Sequence, residues 1–195
     1  MIITRGYFSD FRVADSSQIL NEAHTRTRMF SSTGIRSGAG NTVFISHKHD
    51  DLDEIQGFIT YLEKEYHVTT YIDSMDKGMP MNTCAGTAER IKQVIGNSNK
   101  FILLATNNAL SSKWCNWEVG IADKTKLPVN NMAILPMLDR GQSLYHGNEY
   151  LEIYPYIEER VNIFNGNKYL AVNIHTKDGR RVVSLKGWLN NNTNL

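Results

Sequence analysis

From residue 41 onward, short apolar runs alternate with stretches in which apolar residues recur every three or four positions. TVFIS (42–46) is the first run, and Leu52, Ile55, Phe58, Ile59 and Leu62 then keep helical spacing. VTTYID (68–73) is β-branched and aromatic, hence strand-like, and it leads into a loop, SMDKGMPMN, punctuated by Gly78 and Pro80. A helix bearing Ala85, Ala88, Ile91, Val94 and Ile95 is predicted to stop at Gly96-Asn97. FILLAT (101–106) is a wholly apolar strand. The helix after it carries SSKWCNWEVGIAD (111–123), with Ser111 or Ser112 as its N-cap. MAILPML (132–138) reads as another buried strand, and 151–160 as a short helix interrupted by Pro155. KYLAVNI (168–174), the Asp178-Gly179 turn, RVV and a terminal SLKGWLNN helix close the chain. Ahead of all this, Val13, Ile19, Leu20, Ala23 and Met29 mark an amphipathic helix, and SSTGIRSGAGN (31–41) a Gly/Ser connector. The chain thus divides into an N-terminal extension, 1–40, and a domain, 41–195.

Apolar strands alternating with helices specify an α/β fold, a mainly parallel sheet covered by helices on both faces. Right-handed crossovers leave the flavodoxin-like order 2-1-3-4-5 as the commonest arrangement of five strands. That order fixes where a ligand would bind: outside the carboxyl ends of the strands, where the first and third diverge. The loop leaving the first strand is His47-Lys48-His49-Asp50-Asp51, and the loop leaving the third is Thr106-Asn107-Asn108.

Composition removes several classes. A formal charge of +1 over 195 residues, with scattered basic positions, gives no reason to expect a nucleic-acid or membrane partner. No apolar run approaches the roughly 20 residues of a membrane span, and the N-terminus lacks the pattern of a secretory signal. Cys84 and Cys115 are the two cysteines, too few for a disulfide framework and consistent with a reducing, cytoplasmic setting. No CxxC or HxxxH spacing supports a metal site, and His24, His49, His67, His146 and His175 share no spacing that suggests a ligand set or a triad.

The chemistry concentrates at residues 114–118, where two tryptophans, a cysteine and a glutamate are crowded together. On a helix, Leu110, Trp114, Trp117 and Ile121 form an apolar stripe, and Glu118 lies one turn after Trp114. Taken from the helix alone, Glu118 marks the solvent edge of that stripe, as most helical glutamates do. A partly desolvated carboxylate against indole rings would instead suit a developing cation, the demand made by an oxocarbenium-like transition state. Cys115 has no evident base to lower its pKa and reads as a packing residue.

Three stretches resemble the bacterial type of Toll/interleukin receptor (TIR) domain. VFISHKHDD (43–51) is similar to the family's first box, IDSMDKGMPMN (72–82) to its BB loop, and Trp114-Cys115-Asn116-Trp117-Glu118 to the WxxxE and (Ser/Cys)xxE motif of TIR enzymes. The likeness is best over 41–138, and a looser one continues through the strand, turn and helix of 168–192. The resemblance implies a TIR fold and cleavage of NAD between nicotinamide and ribose, giving ADP-ribose or a cyclic isomer, with NAD as substrate and no cofactor or metal. It makes Glu118 the catalytic residue, with Trp114 stacking on a ring. Ser46, His47, Lys48 and Asp73 would bind substrate, and 73–81 would shape the pocket entrance. It further implies TIR–TIR self-association, a role in antiphage defence, a phage-derived trigger and a separate effector that responds to the product.

Three rivals share the fold or are related to it. A non-enzymatic TIR adaptor needs no carboxylate within WxxxE. A phosphoacceptor receiver needs an aspartate ending the third strand, where FILLATNN has none. A nucleoside deoxyribosyltransferase would use a glutamate at an anomeric carbon but does not account for SHKHDD or the BB-like loop.

Overall fold

The computed structural model describes residues 1–12, 41–72 and 85–191. The helix expected over 13–29, the connector after it, and the loop from Asp73 through Cys84 lie outside the described residues. Among the described residues eight strands form one sheet: β1 (Ile3–Thr4), β2 (Thr42–Ser46), β3 (Thr69–Tyr71), β4 (Lys100–Ala105), β5 (Met132–Leu138), β6 (Tyr156–Val161), β7 (Lys168–Thr176) and β8 (Gly179–Ser184). The helices are α1 (Leu52–Tyr66), α2 (Ala85–Asn97), α3 (Asn107–Leu110), α4 (Lys113–Lys126), α5 (Asn148–Ile153) and α6 (Leu185–Leu189).

The order across the sheet is β3-β2-β4-β5-β6-β7-β8, with β1 added beside β5. Its first five strands, β3 to β6, are parallel and reproduce the expected 2-1-3-4-5. The fifth member is not where the pattern placed it. Residues 156–161 form β6, not the second half of a helix. Pro155 drives Tyr154 into extended backbone (φ −111°, ψ 150°), so α5 ends at Ile153 and the chain re-enters the sheet beside Ile134. The charged run Glu158-Glu159-Arg160 imitated a solvated helix face. β7 and β8 then continue the sheet as an antiparallel extension.

Strand periodicity sorts the core into two layers. Val43, Ile45, Ile102, Leu104, Ala133 and Leu135 face α1 and α6, together with Phe58, Leu62 and Trp188. Phe44, Phe101, Leu103, Met132 and Ile134 face α2 and α4, meeting Ile91, Ile95, Cys115, Val119 and Ala122. Phe44 stacks between Tyr71 (5.4 Å) and Phe101 (5.6 Å) on that second face.

Ile3 and Phe8, from residues 1–12, are buried in the first layer. β1 pairs with the carboxyl end of β5, Ile3 opposite Met137 and Thr4 opposite Leu138, and the Glu159 amide of β6 donates to the Met1 carbonyl at 3.1 Å. The segment then crosses α1 at Gly57, where a Cβ would stand 2.5 Å from the Phe8 carbonyl oxygen. A mid-helix glycine, unfavourable by propensity, is explained by that close approach. The Gly6 amide donates to both carboxylate oxygens of the buried Glu54, at 3.1 and 3.0 Å.

Candidate active site at the carboxyl edge of the sheet

Ser46 ends β2 two residues after Phe44, so its side chain faces the same layer as Phe44 and meets α4. α4 is preceded by Ser112, whose hydroxyl accepts from the Cys115 amide at 3.3 Å; of the two serines the pattern offered, Ser112 is the cap. The face that α4 turns inward is Cys115, Glu118, Val119, Ala122 and Lys126. This corrects the expected stripe of Leu110, Trp114, Trp117 and Ile121, all of which are only partly buried. Small and β-branched residues let the helix approach the sheet, whereas indoles do not fit that gap. Trp114 and Trp117 flank it instead, stacked on each other at 4.8 Å with their planes 27° apart.

Glu118 is therefore not at a solvent edge. Its relative exposure is 1%, and the Ser46 hydroxyl donates to Oε2 at 2.5 Å. Beside this pair His47 is also buried, Lys48 is half-buried, and His49 and Asp50 are exposed. Asp73 lies outside the described residues. Of the residues singled out from sequence, the structure thus brings Ser46 and Glu118 into direct contact, sets His47 and Lys48 immediately after Ser46, and leaves Trp114 one turn away, packed on Trp117.

A second cluster adjoins the loop that leaves β2. Asp51, at the end of the 3-10 turn His49–Asp51, is buried and accepts from two directions. Thr106, just past β4, donates from Oγ1 to Oδ2 at 2.6 Å, while Arg5 Nη2 forms a very short ion pair with Oδ1. Arg5 Nε also donates to Asp139 Oδ1 at 2.6 Å. Burial works against the Arg5 charge, but hydrogen bonds and Coulomb attraction from Asp51, and then Asp139, raise its pKa above the ordinary arginine value. Thr106 also caps α3, its hydroxyl accepting from the Ala109 amide at 3.0 Å. Asp139 and Asn107 join the same edge through a 3.3 Å bond. Sequence reasoning missed Arg5 altogether. Nothing local marks it, because both partners lie far along the chain.

Among the described residues no group of three or more His, Cys, Asp or Glu is arranged to hold a metal ion, and no helix is long and apolar enough to cross a membrane. A surface concavity of about 460 Å³, lined by Arg160–Phe164 and Tyr169 at the β6–β7 hairpin, includes none of the site residues.

A doubly wound α/β domain with a buried carboxylate held at the switch point between its first and third parallel strands is the class these observations define. The family comparison agrees: a model described as a TIR domain matches residues 43–162, well over half of the chain, and the protein belongs to the TIR-domain family. No curated protein matches the chain at a significant level. The match starts at the strand bearing Ser46, takes in Glu118, and ends just past β6. Arg5 lies outside it.

Proposed function

We propose that the protein cleaves NAD at the bond between nicotinamide and ribose, releasing nicotinamide and either ADP-ribose or a cyclic isomer of it. The observation that carries this reading is the Ser46–Glu118 hydrogen bond: a carboxylate removed from solvent, oriented by a hydroxyl at the tip of β2. In NAD the nicotinamide ring is already cationic. When the C–N bond breaks, its electron pair returns to the ring, which leaves neutral without a general acid. The protein has then to hold the ribose and offset positive charge at the anomeric carbon, and a preoriented carboxylate in a low-dielectric site does this at small reorganisation cost. Water, or a nucleophilic atom of the same molecule, forms the new bond and gives up a proton. In this reading Glu118 is the catalytic residue, and Ser46 fixes its rotamer. His47, Lys48 and Asp73 contact the ribose and phosphates, and Trp114 stacks on a ring.

Glu118 is closed off in the structure, so substrate reaches it only once the carboxyl edge opens. That suits an enzyme held off until it assembles. TIR domains commonly associate with one another, and we place the completed site in a self-associated form. The role we assign is production of a nucleotide signal in antiphage immunity, set off by a phage-derived trigger and passed to a separate effector. A second reading, a TIR scaffold without chemistry, draws on the β6–β7 hairpin, where Ile163 and Phe164 are 88% and 92% exposed.

Nicotinamide release from NAD by concentrated protein tests the proposal, with Glu118→Ala and Glu118→Gln beside it. Both variants are expected to lose at least about 100-fold in rate, roughly 2.7 kcal/mol of transition-state stabilisation. Undiminished turnover in both would remove Glu118 from the mechanism.

A further inference from the structure

The loop that carries His47 and Lys48 is held at both of its ends. At its start, Ser46 is bonded to Glu118. At its end, Asp51 has both carboxylate oxygens engaged, Oδ2 by Thr106 and Oδ1 by Arg5. The two anchors differ in origin. Ser46, Glu118, Asp51 and Thr106 all lie within the family match at 43–162, whereas Arg5 lies outside it, directly after β1.

Arg5 is itself placed with little freedom. Its amide donates to the Leu138 carbonyl at 2.8 Å, and Arg140 Nε donates to the Arg5 carbonyl at 3.2 Å. Its guanidinium spans Asp51 and Asp139. Gly6, the next residue, has φ +89°, and a Cβ there would lie 2.3 Å from the Arg140 guanidinium, so the backbone turn that aims Arg5 depends on glycine. Asp51 is fully buried, and a carboxylate in that position needs a cation beside it. A lysine would supply charge at one point, but only the planar fork reaches two carboxylates at once.

We propose that Arg5 is a positioning residue for the site: the N-terminal strand delivers a guanidinium that locks Asp51 to Thr106 and Asp139, and so holds the His47–Asp50 loop in register with Ser46 and Glu118. Among the described residues, Arg5 forms no hydrogen bond or ion pair with one assigned to substrate. Its effect on catalysis passes through Asp51, and the activity arm of its test rests on the NAD-cleaving reading above. It also gives residues 1–12 a part in the site: whatever pulls β1 away from β5 withdraws the guanidinium and frees the loop.

The test uses the full chain with Arg5→Ala and Arg5→Lys. Hydrogen exchange at residues 47–51 is the primary readout. It includes the Asp51 amide, which donates to the Lys48 carbonyl at 2.9 Å. Arg5→Ala is expected to speed exchange there at least tenfold while amides of β4 and β5 stay protected, and Arg5→Lys is expected to restore part of that protection. In NAD turnover, Arg5→Ala should lower kcat at least tenfold with KM changed less than threefold, the split expected of a group that does not contact substrate. Unchanged exchange at 47–51 in a folded Arg5→Ala protein overturns the proposal, and so does a rise in KM at constant kcat. Should Arg5→Ala fail to fold, the double variant Arg5→Gln/Asp51→Asn removes the unpaired charge, and the same exchange measurement decides. Wild-type protein without NAD turnover would count against the function proposed above, while the exchange result would still decide the role of Arg5.

Discussion

Ser46 and Glu118, 72 positions apart, share a buried 2.5 Å hydrogen bond that joins the tip of β2 to the inward face of α4. Neither residue has solvent to fall back on, so the bond links packing to chemistry. Replacing Ser46 by alanine removes one hydrogen-bond donor from a buried carboxylate, at a cost of about 1–3 kcal/mol. For a chain of this size that lowers the thermal midpoint by roughly 2–10 °C. Circular dichroism melts check this. Under the proposed function, nicotinamide release falls by about tenfold or more in parallel.

Two helical glycines offer a matched pair. At Gly57 a Cβ would strike the Phe8 backbone, whereas at Gly120 in α4 nothing lies within 4 Å. Gly57→Ala should lose about 1–3 kcal/mol by pushing residues 5–12 off α1. Gly120→Ala should gain up to about 1 kcal/mol from helix propensity alone. Urea unfolding of both variants settles the sign. A stabilising Gly57→Ala would mean that Phe8 does not cross the helix there.

Lys100, at the start of β4, is 1% exposed with neutral partners. Its ammonium donates to Asn131 at 2.5 Å and Asn191 at 2.7 Å, and lies 4.6 Å from the centre of the Trp188 ring. Burial lowers its pKa from 10.5 to about 8. Between these values the unfolded chain binds the extra proton, so stability rises with pH through that interval. The gain expected from about pH 8 to 9.5 is about 1 kcal/mol, below the ideal linkage because two amides and an indole partly replace water around the charge. Above pH 10 the half-buried Tyr61 and the buried Tyr145, whose pKa values are raised chiefly by desolvation, pull the other way. Urea midpoints across that window measure the slope, and Lys100→Met should flatten it.

Ile163 and Phe164 at the tip of the β6–β7 hairpin bury almost nothing. Changing both to serine should shift stability by no more than about 0.5 kcal/mol. Sedimentation velocity at high concentration should show weaker self-association if the hairpin takes part in TIR–TIR contacts. An unchanged sedimentation profile would move those contacts elsewhere.

The order β3-β2-β4-β5 was legible because these parallel strands are largely buried and read as apolar or β-branched runs, so alternation with helices constrains the topology. β6 was not legible as a strand. Its burial is partial and its charges are spaced as on a helix, so the fifth strand was sought further along the chain. The location of Glu118 on a helix leaving the carboxyl edge was likewise readable, along with its neighbours Ser46 and His47. Its burial was not. A helical wheel ranks Trp114 and Trp117 above a carboxylate for the inward face, and only the narrow gap between α4 and the sheet, filled by Cys115, Val119 and Ala122, reverses that order.

What the chain determines by itself is local and periodic: where strands and helices fall, which strand edge gathers the polar loops, and which motif places a glutamate there. What only the tertiary structure decided is the pairing of residues with no common period, Ser46 with Glu118 and Arg5 with Asp51 and Asp139. Such pairs arise from the stacking of layers and the closing of a terminal strand onto β5, and no spacing within the sequence encodes them.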